Sequence, residues 1–270
     1  MADQISNFCR QPVVISNDWV TDECPEHGTI VRREVEQFDG TYLHMPCVKC
    51  RWEGINREPQ NSEKHKAAVA SKMAERINAF LIGSGITPRF RDCTLDNYRT
   101  DDEPEKARAL AECRAYVEHF ENNYHKGRSM ILSGNIGTGK THLGSAMVQV
   151  VIRQLGARAL IASIAEIVRV AKGTMAKGAS YTESDVINEL ANVDLLIIDE
   201  VGVQRGSEYE LGILHEVLDR RYQLVIPTVV ISNLPVDELK AYMGDRALDR
   251  LRQGGGKAVG FTWGSERAKA

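Results

Sequence analysis

The sequence predicts a three-layer α/β domain on a parallel sheet, preceded by a small unit of another kind and a linking helix. Three observations predict it. From residue 104 onward, helical stretches alternate with short apolar ones. Those apolar stretches are uninterrupted, as strands covered on both faces are, and not alternating. The first sixty residues are instead rich in Cys, His, Pro and Gly and show little helical periodicity, so something other than a core must staple them. A chain of 270 residues can bury a substantial core and suits one large domain with a small companion. The divisions read as 1–60, 61–103 and 104–270.

The elements follow in order. NSEKHKAAVASKMAERINAFLI, residues 61–82, sets Ala68, Met73, Ile77, Phe80 and Leu81 in a helical stripe behind a Ser62 start signal, giving the linking helix. GSGITPRF then breaks it with Gly and Pro. EPEKARALAECRAYVEHF is helical, SMILSG a strand, THLGSAMVQVVIRQLG a helix and ARALIASI a strand. IAEIVRVAKGTM and SDVINELANV are helical, DLLIIDE is a strand, and the helix YELGILHEVLDRRYQ leads into the strand TVVIS. The net charge of −3 offers no overall basic field, so contact with nucleic acid or an anionic membrane needs a local patch. No apolar run is long enough to cross a bilayer, and MADQISNFCRQ lacks the regions of a signal peptide. A cytoplasmic protein is expected, in which six cysteines serve as thiols or metal ligands and not as disulfides.

Residues 133–141, SGNIGTGKT, fit the phosphate-loop pattern GxxxxGK[ST] between a strand and a helix, the context this motif needs. Gly134, Gly137 and Gly139, with Asn135 and Thr138 between them, let backbone N–H groups close around phosphate oxygens, and the next helix aims its positive end at the same anion. Lys140 reaches the β and γ phosphates and Thr141 ligates Mg²⁺; His142 follows them and reads as structural. DLLIIDE ends in two adjacent carboxylates where unused charge would be costly. Asp199 there is suited to hold magnesium, and Glu200 to polarise a water for attack on the γ phosphate. TVVIS runs into Asn233, which either orients that water or merely opens the turn before Leu234 and Pro235. This order of phosphate loop, DE strand and asparagine strand resembles the AAA+ ATPases. No guanine-reading NKxD occurs, so ATP is expected over GTP.

In the N-terminal unit, CPEH at 24–27 and CVKC at 47–50 bring Cys24, His27, Cys47 and Cys50, the three sulfurs and one nitrogen that tetrahedral Zn²⁺ prefers. Unligated thiols are the other reading, and Cys9 is the reserve ligand. With all four positions filled by protein, the role is structural. Cys93 and Cys113 fall in the α/β part and read as buried small apolar residues.

GDRALDRLRQ, residues 244–253, sets Arg246 and Arg250 one helical turn apart, with Arg252 beside them. Taken alone this is a solvated face with Asp245 and Asp249 as partners. However, the charge that spreads over the γ phosphoryl oxygens in the transition state wants a further cation.

The runs GITPRFRDCTLDNYR, GNIGTGKTHL, NVDLLIIDEVGVQ, VLDRRY, ISN and GDRALDRLR, in this order, resemble the DnaC family of bacterial helicase loaders and the related IstB-type transposition ATPases, over roughly residues 83–267. The resemblance implies an ATPase that binds single-stranded DNA, assembles into a ring or spiral of copies, and places a DnaB-type replicative helicase on DNA. It implies that Arg250 is an arginine finger acting on the neighbouring subunit, that Arg246 is its partner in that interface, and that Arg267 in WGSER senses nucleotide within its own chain. By position Ser207 and Tyr209 match DNA-contacting residues. Tyr209 either stacks on a base or packs on its helix surface, and Met175 stands where the family carries an aromatic. The cysteine pattern departs from DnaC, and the unit 1–60 is expected to bind the helicase, with Trp19, Phe38, Tyr42 and Trp52 as apolar contact surface. Two other readings stay open: a transposition helper that coats DNA and recruits a transposase, and a nucleotide-gated adaptor without turnover.

Overall fold

The structure is a computed structural model and describes residues 14–36, 42–44, 47–53, 74, 77–175, 181–203 and 207–267. The chain divides into two compact units, Met1–His65 and Lys66–Ala270.

In the first unit, β1 (Val14–Cys24), β2 (Gly28–Glu36) and β3 (Tyr42–His44) form an antiparallel sheet in the order β1-β2-β3, followed by a short helix, α1 (Val48–Glu53). The β1–β2 hairpin turns at Cys24–Gly28, with Cys24 opposite Gly28 across the ladder. Among the described residues, the buried apolar side chains of this unit are Cys24, Cys47 and Trp52. The expectation that Trp52 offers contact surface is therefore corrected: at 1% exposure it lies in the interior of its own unit, where among the described residues it is the one large apolar side chain buried. Phe38 and Cys9 lie outside the described residues, as do the side chains of Trp19 and Tyr42.

The second unit carries the α/β architecture that was expected. Its strands β4 (Met130–Gly134), β5 (Ala159–Ser163), β6 (Leu195–Val201), β7 (Thr228–Ser232) and β8 (Lys257–Phe261) form one sheet in the order β5-β6-β7-β4-β8. Every pairing in it is parallel. The helices are α2 (Pro104–Glu118), α3 (Phe120–His125), α4 (Lys140–Leu155), α5 (Ile164–Gly173), α6 (Glu183–Asn192), α7 (Glu208–Gln223) and α8 (Val236–Arg252). One core cluster joins Ile131, Leu196, Ile198 and Val230 of the sheet to the apolar faces of α5 through α8. Elsewhere α4 packs on β5, β6 and β7 and meets α2. Ser163 and Thr182 start α5 and α6 with full capping boxes, each accepting from the residue three positions on while that residue's carboxylate accepts from the cap's own N–H.

Of the linking helix only its last part is described: 77–82 is helical, while Ser62, Ala68 and Met73 lie outside the described residues. The segment after it lies along the sheet's β5 edge, where the Ser84 carbonyl accepts from Ile161 N–H at 2.9 Å. β8 was not anticipated. It is a short edge strand whose exposure alternates, and its partner is the strand that feeds the phosphate loop. No helix among the described residues is long and apolar enough to cross a membrane.

Candidate functional site

The phosphate loop leaves the carboxyl end of β4 between β7 and β8 and enters α4 at Lys140. Gly139 caps that helix at φ 92°, and a Cβ there would lie 2.6 Å from a ring carbon of Tyr98, so glycine is required twice over. The loop is braced from both sides. Tyr98 donates its hydroxyl hydrogen to the Thr138 carbonyl at 2.8 Å, and Trp263 donates its indole N–H to the same oxygen at 3.2 Å. Asn135 takes the Phe261 carbonyl through its backbone N–H at 2.7 Å, and its side-chain amide reaches the Thr262 carbonyl at 2.7 Å. Lys140 is folded onto this loop, its Nζ donating to the Gly134 and Asn135 carbonyls at 2.8 and 2.5 Å. Burial pushes its pKa down to about 8, Asp199 pulling it up and the Arg267 charge pushing it lower. Two cations at a helix N-terminus make a site for a polyanion.

Thr141 donates its hydroxyl hydrogen to Asp199 Oδ2 at 2.8 Å, so the two oxygens expected to share a magnesium ion are already neighbours. Burial raises the Asp199 pKa, opposed by the bonds from Thr141 and from Glu200 N–H. In a regular strand, Asp199 and Glu200 would face opposite sides of the sheet. Here the register slips between Ile198 and Val201, and Glu200 takes a left-handed φ of 60°. This bulge turns both carboxylates into the same cavities, and it spends backbone strain to do so. Asn233 follows β7 and lines one of these cavities with Lys140, Thr141 and Glu200. Its turn is held by Ser232 and Ser133, whose hydroxyls donate to Val201 O and Leu234 O.

Two adjoining cavities, of about 450 and 340 Å³, share Arg89, Phe90, Thr141, Asp199, Glu200 and Arg267. Together they suit a nucleotide in size. His142 lines the second cavity, its Nε2 paired with the Thr94 carbonyl at 2.9 Å and its ring edge-on to Tyr98. Gln149 donates to the Cys93 carbonyl; Cys93 is half-buried, whereas Cys113 is fully buried. Tyr98 and Trp263 were not singled out from the sequence, although the runs NYR and WGSER carried the signal; Phe261 lay outside both runs.

The two arginines of GDRALDRLRQ do keep helical spacing, because α8 breaks at Gly244 (φ 80°) and resumes beyond it. Arg246 is exposed. Arg250 is largely covered by its own chain: it pairs with Asp219 Oδ1 of α7 at 2.5 Å and sits 5.4 Å over the Tyr222 ring. Asp245 pairs with Lys240, and with no arginine among the described residues.

Ser207 is the N-cap of α7, its hydroxyl accepting from Glu210 N–H. Tyr209 donates to Glu183 at 2.5 Å while Lys172 lies 5.5 Å over its ring. Met175 is exposed.

In the first unit, Cys24, His27, Cys47 and Cys50 form one cluster. His27 Nδ1 lies 3.6, 3.6 and 3.4 Å from the sulfurs of Cys24, Cys47 and Cys50, and Cys24 Sγ lies 3.4 Å from Cys50 Sγ. A tetrahedron with Zn–S of about 2.3 Å and Zn–N of about 2.0 Å has edges of about 3.5–3.8 Å, so the four atoms fit zinc. The hairpin turn supplies Cys24 and His27; the first turn of α1 supplies Cys50, with Cys47 just before it. Burial acts to raise the Cys24 thiol, but hydrogen bonds from Glu26, His27 and Cys50 bring it down to about 6. Burial, with Cys24 and Cys47, pushes Cys50 up to about 12. A second acidic cluster, Asp101, Glu103 and Glu266, has its cation supplied by Lys106.

A phosphate loop after β4, one strand in from the edge of a five-stranded parallel sheet, facing a buried aspartate at the end of β6, defines a P-loop nucleotide-binding protein. Comparison with known proteins narrows the class. The chain belongs to the IstB-like ATP-binding protein family, whose model matches residues 92–252. The replicative helicase loader DnaC of Escherichia coli K12 is 36% identical over 213 residues, covering 77% of this chain and 84% of that protein. DnaC of Buchnera aphidicola from Acyrthosiphon pisum is 32% identical, covering 78% and 83%. The protein YdaV of E. coli K12 is 30% identical over 243 residues, covering 90% of this chain and 89% of its own length. With nine-tenths of this chain aligned, that match reaches into the first sixty residues. Among solved structures, the DnaC helicase loader superposes with a TM-score of 0.58 at 20% identity, over 65% of this chain and 99% of its own. DnaI gives 0.56 at 18%, over 70% and 99%. At these identities the two superpositions establish the shared fold.

Proposed function

We propose that this protein is an ATP-driven loader that delivers a DnaB-type replicative helicase onto single-stranded DNA. The observation that carries the reading is the likeness to proteins named replicative helicase loaders, at 30% identity or more across over three-quarters of the chain. The transposition-helper reading draws on the family model alone.

In this mechanism the glycine-rich loop and Lys140 hold the triphosphate, Thr141 and Asp199 hold Mg²⁺, and Glu200 with Asn233 orients the attacking water. Lys140 and Arg267 neutralise phosphate charge from within the chain. Arg250, with Arg246 beside it, serves the site of the next copy in a ring or spiral. In a chain by itself Arg250 rests on Asp219, which supports turnover that depends on assembly. An arginine supplied in trans raises the rate by about 10³-fold or more, so isolated chains turn over slowly. Ser207 and Tyr209 contact the DNA strand. Zn²⁺ held by Cys24, His27, Cys47 and Cys50 fixes the N-terminal unit, residues 1–60, as the helicase-binding module, and 61–103 links it to the ATPase.

A pull-down tests the reading: the full chain, loaded with ATP, is expected to retain a DnaB-type helicase and to ignore a transposase. Retention of the transposase alone would replace the loader with the transposition helper. Deleting residues 1–60 is expected to abolish helicase capture while ATP binding persists.

A further inference from the structure

Lys106, in the first turn of α2, is fully buried, unusual for a side chain that normally carries its ammonium to water. It is encircled by three carboxylates: Glu266 Oε1 at 2.8 Å, Glu103 Oε1 at 3.0 Å and Asp101 Oδ2 at 3.1 Å. Asp101 and Asp102 both hold a left-handed backbone, at φ 48° and 57°, to present this turn to the ammonium. Such strain, and three carboxylates that reach in from partly exposed positions to one buried ammonium, point to a task beyond packing.

The task lies at the other end of the ion pair. Glu266 immediately precedes Arg267, in a tail without regular structure after β8. Its backbone N–H donates to the Gly137 carbonyl of the phosphate loop at 2.9 Å. Ser265 lies against Gly137, where any Cβ would come within 2.2 Å of its hydroxyl oxygen. The preceding residues, Thr262 and Trp263, are fixed by Asn135. Glu266 is thus held by its backbone to the loop and by its side chain to Lys106, and Arg267 projects into both cavities beside Thr141, Asp199 and Glu200.

We propose that Lys106 is a positioning residue that, through Glu266, sets the Arg267 guanidinium against the γ phosphate and so determines how well the protein distinguishes ATP from ADP. This deepens the proposed function and rests on its reading of Arg267. The bond to Glu266, with those to Glu103 and Asp101, keeps the ammonium charged against the effect of burial.

The test is the ratio of ATP to ADP affinity, measured by calorimetry on the full chain with Mg²⁺. Arg267→Ala is expected to lower the ratio about tenfold, and Lys106→Met to lower it by a similar factor, with no further loss in the double variant because both act through one contact. Glu266→Gln leaves the ammonium two carboxylate partners and a weaker neutral acceptor in place of the third, and is expected to lower the ratio about threefold. Lys106→Arg, which restores a cation, is expected to recover most of the wild-type ratio. If Arg267→Ala lowers the ratio while folded Lys106→Met and Glu266→Gln keep the wild-type value, Lys106 is a structural pin and the proposal is overturned. If Arg267→Ala itself leaves the ratio unchanged, the reading of Arg267 fails first and the proposal goes with it.

Discussion

Replacing one ligand of the cysteine cluster should unfold the first unit and leave the second intact. The structure sets the magnitude. Among the described residues of that unit, Trp52 is the one large apolar side chain fully buried, and its burial supplies about 3 kcal/mol. A structural zinc ion contributes about 10–16 kcal/mol of apparent binding energy, all of it available only to the folded form. A zinc ion on this cluster would therefore outweigh the burial of Trp52 several-fold, and Cys47→Ser, or treatment with a chelator, should leave the unit without enough stabilisation to fold. The assay is amide hydrogen exchange resolved along the chain, with zinc content measured by mass spectrometry on the same sample. One zinc per chain is expected in the native protein. In Cys47→Ser, amides of β1 and β2 should exchange at unfolded rates while those of β4 and β6 keep their protection, because Lys140 and Asp199 belong to a separate unit. Full protection of β1 and β2 in a metal-free sample would refute the reasoning, since the unit would then fold without the metal.

Three further outcomes follow from the α/β unit. Glu200→Gln should bind ATP at near wild-type affinity but hydrolyse it about 10²–10⁴-fold more slowly, since it removes a general base and leaves the phosphate cradle in place; single-turnover kinetics separate the two. Gly139→Ala should destabilise the unit by about 1–3 kcal/mol and weaken ATP binding, because the Cβ meets the Tyr98 ring and the backbone stays left-handed; differential scanning calorimetry reads the first effect and titration the second. If Tyr209 stacks on a base, Tyr209→Ala should weaken single-stranded DNA binding by about 1–3 kcal/mol while Tyr209→Phe, which loses only the bond to Glu183, binds normally; fluorescence anisotropy decides it.

Much of the α/β unit was legible because buried parallel strands leave a plain mark. MIL, LLII and TVVI are unbroken apolar runs, and each became a strand covered on both faces. The phosphate loop was equally legible, since its glycines answer a backbone requirement that no other residue meets. β8 was not, because an edge strand needs only part of one face apolar, and KAVGF alternates through a glycine. Nor does the sequence reveal how two adjacent carboxylates reach one cavity: that depends on a bulge set by pairing with β7. Trp52 was misjudged because a lone tryptophan reads alike as surface anchor and as interior, and only the closing of the hairpin and α1 decides between them. The pairing of Arg250 with Asp219 joins residues thirty-one positions apart on two helices, beyond the reach of any local pattern.

The central claim is that one chain captures the nucleotide and a neighbour's Arg250 completes the site. The most direct test mixes Arg250→Ala chains, which keep the phosphate loop, with Lys140→Ala chains, which keep the arginine. Each alone should be nearly inactive. In an equal random mixture about one quarter of head-to-tail contacts unite an intact loop with an intact arginine, so ATPase activity should return to about a quarter of the wild-type rate. A mixture no faster than either variant alone, with co-assembly demonstrated, would contradict the claim.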